Sequence, residues 1–251
     1  ENGLMDNTSM ERFHTLLNGN VLVSQKVNIF ATLGLAYLNG HYQMQGMDIA
    51  TNPILAAYGR SPMLSPYDKD RDGNTLSTYA PHYYGSYSVS NPLAIINTLN
   101  AKNRQYDLNM RAGLHYNPFR ELTLTGTVGM FYNYNNEHVF IPGQSDPTIV
   151  PVSDTYGLRE NAVSEGDVEM LEVFVNLNAS YKKTFNYVHQ LNAIAGWQML
   201  TSKYEYDAGN GRNTGNDFYQ TLGSTNTIGR YFSGYTTNWN WMNYYAHADY
   251  T

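Results

Sequence analysis

The chain has 251 residues, 15 Lys+Arg against 21 Asp+Glu, a formal net charge of -6, and no Cys. These numbers exclude disulfide scaffolds and thiolate-ligated metal centres, and an acidic chain has no overall field to gather nucleic-acid phosphates. Charged and aromatic residues each make up 14% of the chain, too few charges and too many rings for a disordered segment. No window of about 18 residues is apolar enough for a membrane helix.

Taken in chain order, the predicted elements are strands. Arg12 to Val23 keeps Phe13, Leu17, Val21 and Val23 in phase, and Ser24-Gln25-Lys26 makes a short turn. Val27, Ile29, Ala31, Leu33, Leu35 and Tyr37 then share one face. The strongest alternation runs from Tyr106 to Tyr116, with every even position apolar or aromatic and every odd one polar or Gly. Such a period of two is the mark of a strand with unlike faces. After a turn-forming Asn117-Pro118-Phe119-Arg120-Glu121, Leu122 to Tyr134 alternates again. A third pair has Leu171 to Tyr181 and His189 to Met199, joined by a turn at Lys182 to Asn186. A seventh strand begins near Trp239, with Met242, Tyr244, Ala246, Ala248 and Tyr250 in phase.

Turns within pairs are short, whereas the links spanning 40–104, 136–168 and 207–238 are long and rich in Gly, Pro, Asn, Ser and Tyr. A soluble sandwich or lectin-like module also alternates, but structureless loops longer than about 12–15 residues are uncommon in compact domains. The expected fold is therefore all-β: an antiparallel transmembrane β-barrel segment with short periplasmic turns and long extracellular loops. Tyr37, Tyr116, Tyr132, Tyr134, Tyr181, Tyr187 and Trp239 near strand ends fit interfacial girdles. Seven strands cannot close a barrel of even strand number without an exposed edge. Glu1-Asn2-Gly3-Leu4 lacks the features of a signal peptide. Residues 1–251 are thus expected to be an internal part of a larger barrel domain.

Four stretches carry a resemblance to a family: Gly3 to Phe13; Ser90-Asn91-Pro92-Leu93-Ala94; the strand pair Gln105 to Tyr134 around Asn117-Pro118-Phe119; and Trp241 to Tyr250. In order and spacing the chain resembles a middle segment of the SusC/RagA family of TonB-linked outer-membrane proteins. The resemblance implies a roughly 22-stranded barrel closed by a plug domain, with energy relayed by TonB through that plug. It also implies a SusD-like lipoprotein over the mouth, outer-membrane lipid around the wall, and an oligosaccharide or peptide as substrate. The plug and the TonB-contacting segment lie outside this chain.

Few residues suggest chemistry. His14, His41, His82, His115, His138, His189 and His247 form no metal-ligand spacing, and His115 and His247 fall on polar faces. Gly209 to Gly215 is Gly-rich but follows no βαβ pattern. Asp68, Asp70 and Asp72 with Gly73 resemble the start of a Ca²⁺ loop, but Tyr79 stands where a twelfth-position acid is required. Glu165, Asp167, Glu169 and Glu172 offer carboxylates without a pairing that would support glycoside hydrolysis. No catalytic, cofactor or metal residue is assigned, and no enzyme activity is expected. The contact candidates are loop rings, Tyr79, Tyr83, Tyr84 and Tyr87 in one group and Tyr231, Phe232 and Tyr235 in another. They suit loop packing, docking of a partner, or stacking on a substrate. The rival reading is a soluble secreted β-rich carbohydrate-binding module.

Overall fold

A computed structural model describes residues 3–80, 89–143 and 161–251. In chain order the elements are β1 (Ser9–Ser24), β2 (Val27–Tyr42), α1 (Pro53–Gly59), β3 (Tyr67–Lys69), β4 (Thr75–Tyr79), α2 (Pro92–Thr98), β5 (Asn100–Phe119), β6 (Leu122–Ile141), β7 (Ala162–Phe185), β8 (His189–Arg212) and β9 (Tyr231–Tyr250). Seven of the strands form one antiparallel meander in the order β1-β2-β5-β6-β7-β8-β9, while β3 and β4 pair separately. The fold is an all-β barrel segment, with short turns at one end of the sheet and long connections at the other.

The seven strands are 16 to 24 residues long, longer than the alternation indicates. Toward the long connections both faces turn polar, as in Asn133 to His138, while the hydrogen-bond ladder continues. Hence β8 runs to Arg212 and β9 starts at Tyr231, so their link is 213–230 rather than 207–238. At the other end β7 continues to Phe185, and the turn is Asn186-Tyr187-Val188, with Asn186 and Tyr187 at φ 50 and 61. Asn117-Pro118-Phe119 belongs to β5 and bulges there, leaving Arg120-Glu121 as the turn.

Directly opposed residues define rows across the sheet. Phe13, Tyr37, Tyr106 and Tyr134 make one row on β1, β2, β5 and β6, with successive ring centroids 6.5, 5.0 and 6.3 Å apart. Below it on the same face come Leu17, Leu33, Met110, Met130 and Val173, and then Val21, Ile29, Leu114, Gly126, Leu177, Trp197 and Tyr244. At the short-turn end this face carries Tyr116 and Tyr181. The apolar band drifts across the rows: in the row of Leu33, β8 and β9 already carry Thr201 and Asn240. Rows run perpendicular to the strands, so a band level with a barrel rim must cut across them when the strands tilt. The other face carries Asn18, Thr32 and Arg111 in one row and Asn28, His115, Thr125 and Asn178 in another.

No second layer among the described residues covers the apolar band. Leu17, Val21, Leu114, Val128 and Leu177 are each 45–61% exposed. The compact core lies instead in the link between β2 and β5. Ala56, Val89, Ile95, Leu99 and Ala101 bury one another, with Met44, Ile49, Val139 and Ile141 packed against them. This long connection is therefore folded, and its two helices share one device. Asn52 and Asn91 accept backbone N–H bonds at the N-cap, followed by Pro53 and Pro92, whose fixed φ and missing N–H suit the first helical position. Asn91 is fully buried, and its Nδ2 donates to the carbonyls of Pro66 (2.7 Å) and Ala80 (3.0 Å).

Candidate functional site

The link 213–230 is tied to the sheet through Asn161, which is fully buried. Its Nδ2 donates to Thr214 Oγ1 and Asp217 Oδ1, both at 2.8 Å, and its Oδ1 accepts from Thr214 N. Asn100 Nδ2 donates to Gln220 Oε1 at 3.1 Å, bridging two connections. The long-connection end is thus a built surface, able to hold side chains in fixed places.

Of the ring candidates, Tyr83, Tyr84 and Tyr87 fall outside the described residues. Tyr79 stacks on Tyr67 with centroids 5.8 Å apart, and its hydroxyl accepts from Asn97 Nδ2 at 2.8 Å, so it serves packing of the connection. Tyr231, Phe232 and Tyr235 are strand residues of β9, not loop residues, and are 65%, 64% and 57% exposed. Alternation splits them: Tyr231 and Tyr235 lie on the polar face, and Phe232 lies on the opposite face beside Gly209.

The polar face holds more rings than the sequence reading assigned to it. Tyr235 lies 5.7 Å from Tyr204 and 5.6 Å from Tyr206, centroid to centroid. Trp239 opposes Ser202 and Trp241 opposes Leu200, so both tryptophans continue the same column down β9. Trp239 therefore does not join the girdle of Tyr37, Tyr132 and Tyr134, which occupy the other face. Asn133, Asn135, Glu172 and Thr237 share rows with these rings. Flat rings interleaved with amides, hydroxyls and a carboxylate can stack on a ligand and hydrogen-bond its edges.

The remaining candidates are spread apart. Glu165, Asp167 and Glu169 share the face of Phe232, whereas Glu172 lies through the sheet on the other. Tyr134 Oη and Asn136 Nδ2 donate to Asp167 Oδ1 at 2.7 and 2.9 Å, and His138 Nδ1 lies 3.3 Å from Glu165. His115 pairs with Thr125 Oγ1 at 3.0 Å on the polar face. Among the described residues no three His, Asp or Glu side chains gather into a metal site. Asp70 instead closes the β3–β4 turn. Its carboxylate accepts from Asp72 N and Asn74 N at 2.9 and 2.8 Å and from Asn74 Nδ2 at 2.9 Å. The Asn74 side-chain amide, followed by the backbone N–H groups, holds it below the usual carboxylate range.

No family model and no curated protein matches the sequence. Solved structures do. The chain is similar to the RagAB peptide importer in its closed-closed state, with a TM-score of 0.70 and 13% identity over 97% of this chain and 26% of that one. It is likewise similar to the RagAB peptide transporter and to the importer in its open-open state, each with a TM-score of 0.69 and 14% identity over the same shares. At that identity the likeness is one of fold, and this chain spans about a quarter of the length of the chains it matches.

Proposed function

We propose that this chain is part of the wall of an outer-membrane, TonB-dependent nutrient importer, working with a SusD-like surface lipoprotein and taking up oligopeptides or oligosaccharides. The observation that carries the reading is the exposed apolar band, with an aromatic row at one edge and single rings such as Tyr116 and Tyr181 at the other. Tyr106 and Tyr116 sit on that face ten residues apart, about 33 Å along a strand. At a strand tilt near 45° that is roughly 23 Å of height, close to the apolar belt of about 25 Å on outer-membrane barrels. A soluble carbohydrate-binding module would have to cover this band with a second layer, at about 25 cal/mol per Å² of apolar surface left in water.

In this reading the polar face lines the lumen, and the ring column of β9 supplies stacking along the path. Substrate is captured at the mouth and passes along the wall when the plug shifts. The fold shared with proteins described as peptide importers supports the transport class. Uptake of a fluorescent oligopeptide and a fluorescent oligosaccharide by cells carrying the full-length protein tests it. Uptake of one of them that stops when a protonophore collapses the inner-membrane energy source is the expected result. Uptake indifferent to the protonophore, or a protein found outside the outer-membrane fraction, contradicts it.

A further inference from the structure

We propose that a cavity of about 590 Å³ at the long-connection end of the polar face is a carboxylate-binding subsite for the free C-terminus of a transported oligopeptide. The proposal rests on the importer reading and narrows its substrate. Two arginines, Arg212 at the end of β8 and Arg230 just before β9, line the cavity together with Met44, Val139, Ile141 and Ile228. Among the described residues its lining contains no Asp or Glu, although the whole chain carries a net charge of -6.

Neither arginine has an anionic partner among the described residues. The ion pairs among the described residues are His138–Glu165, Lys203–Glu205 and His247–Asp249. Arg230 is fixed by neutral oxygens: Nε donates to Thr225 Oγ1 at 3.1 Å, and Nη2 donates to the carbonyls of Gly223 and Thr225, both at 2.7 Å. Its guanidinium is therefore held in place before any ligand arrives, which lowers the ordering cost of binding. Arg212 projects from a paired strand residue facing Ala162, a rigid base for a second cation. Guanidinium donors match carboxylate oxygens in geometry and charge.

The rest of the lining selects the carrier of that carboxylate. Met44, Val139, Ile141 and Ile228 are flexible or branched aliphatics, which accept the apolar side chain of a terminal residue. Sugars gain more from flat rings and dense hydrogen bonding, and those lie lower on the face at Tyr204, Tyr206 and Tyr235. Tyr231 lines the cavity as well and stands in the same β9 column, so a peptide anchored here extends onto the rings.

The test measures binding to the intact importer in detergent, and its energised uptake in cells, with an N-acetylated tetrapeptide ending in leucine, the same peptide amidated at its C-terminus, and tetragalacturonate. The free acid should bind about tenfold more tightly than the amide. Arg212→Gln should cut that difference to about threefold or less, with Arg230 supplying what remains, and should weaken the acid more than the amide; Arg212→Lys should keep more of it. Arg230 is left intact because it holds the loop. Equal affinity of acid and amide for the unaltered protein overturns the subsite whatever the variants do. So does an acid preference that Arg212→Gln leaves undiminished, or a preference for tetragalacturonate over the peptide acid. Energised uptake of both peptides with no preference, or of tetragalacturonate alone, overturns the subsite while leaving the importer reading in place; uptake of none of the three overturns both.

Discussion

Gly196 shows how a single residue is fixed by its neighbour across the sheet. It lies opposite Tyr245 on the polar face, and a Cβ there would run into the tyrosine ring. The ring lies flat over the glycine, and its hydroxyl donates to Asn176 Oδ1 at 3.2 Å, two strands away. Gly196→Val should lift the ring, break that bond and lower barrel stability by about 1–3 kcal/mol. Denaturant unfolding of the intact protein measures it, and an unchanged midpoint would show that the ring has another place to go. Asp70 gives a pH prediction with a definite sign. Its folded pKa is depressed, so its contribution to the β3–β4 turn is complete above its unfolded value near pH 4 and is lost as pH falls through the folded value. Amide exchange at Asp72 and Asn74 should be flat through neutral pH and accelerate, relative to intrinsic rates, only in acid; acceleration between pH 6 and 8 would contradict this. The polar-face position of Trp239 was also legible. Counting back by two from the apolar Met242 reaches Asn240, which leaves Trp239 and Trp241 on the other side. Interface girdles are so common a use of Trp that composition overrode register.

Among the elements, α1 and α2 were missed although their start signal was present. Asn52-Pro53 and Asn91-Pro92 are N-cap and N1 pairs, each followed by an apolar run. Asn117-Pro118 has the same letters and sits in a strand bulge, so the dipeptide alone does not decide. What decides is the buried core of Ala56, Val89 and Ile95, assembled from residues far apart in sequence, which no local period reveals. Asn91→Ala should remove the cap of α2 and its side-chain bonds to the carbonyls of Pro66 and Ala80, at a local cost of about 2 kcal/mol. Hydrogen exchange should then accelerate in residues 53–80 and 89–99 while the amides of β5 to β8 keep their protection. Equal loosening of the sheet would mean that this connection is part of the barrel's own stability. Strand ends were hard to place for the opposite reason. From Asn133 to His138 and from Asp207 to Arg212 polar residues occupy both faces, and pairing persists with no hydrophobic pattern to mark it.

For the whole molecule, the seven strands of the large sheet and the alternation of short turns with long connections could be read from period two and loop length, whereas the β3–β4 pair inside the first long connection could not. The arginine cavity could not, because Met44, Val139, Arg212 and Arg230 meet only once the sheet is assembled. The central claim is that the exposed apolar face meets lipid and the opposite face meets water. The absence of Cys from this chain makes single-cysteine spin labelling direct. Nitroxides placed in turn at Met110, Val128 and Val175, and at their neighbours Arg111, Thr127 and Asn176, would be read in bilayers by collision with oxygen and with a water-soluble nickel chelate. The account predicts alternation with a period of two: oxygen-rich, nickel-poor collisions at the first three and the reverse at the second three. Nickel access at both sets, or protection of the first set from both reagents, would contradict it.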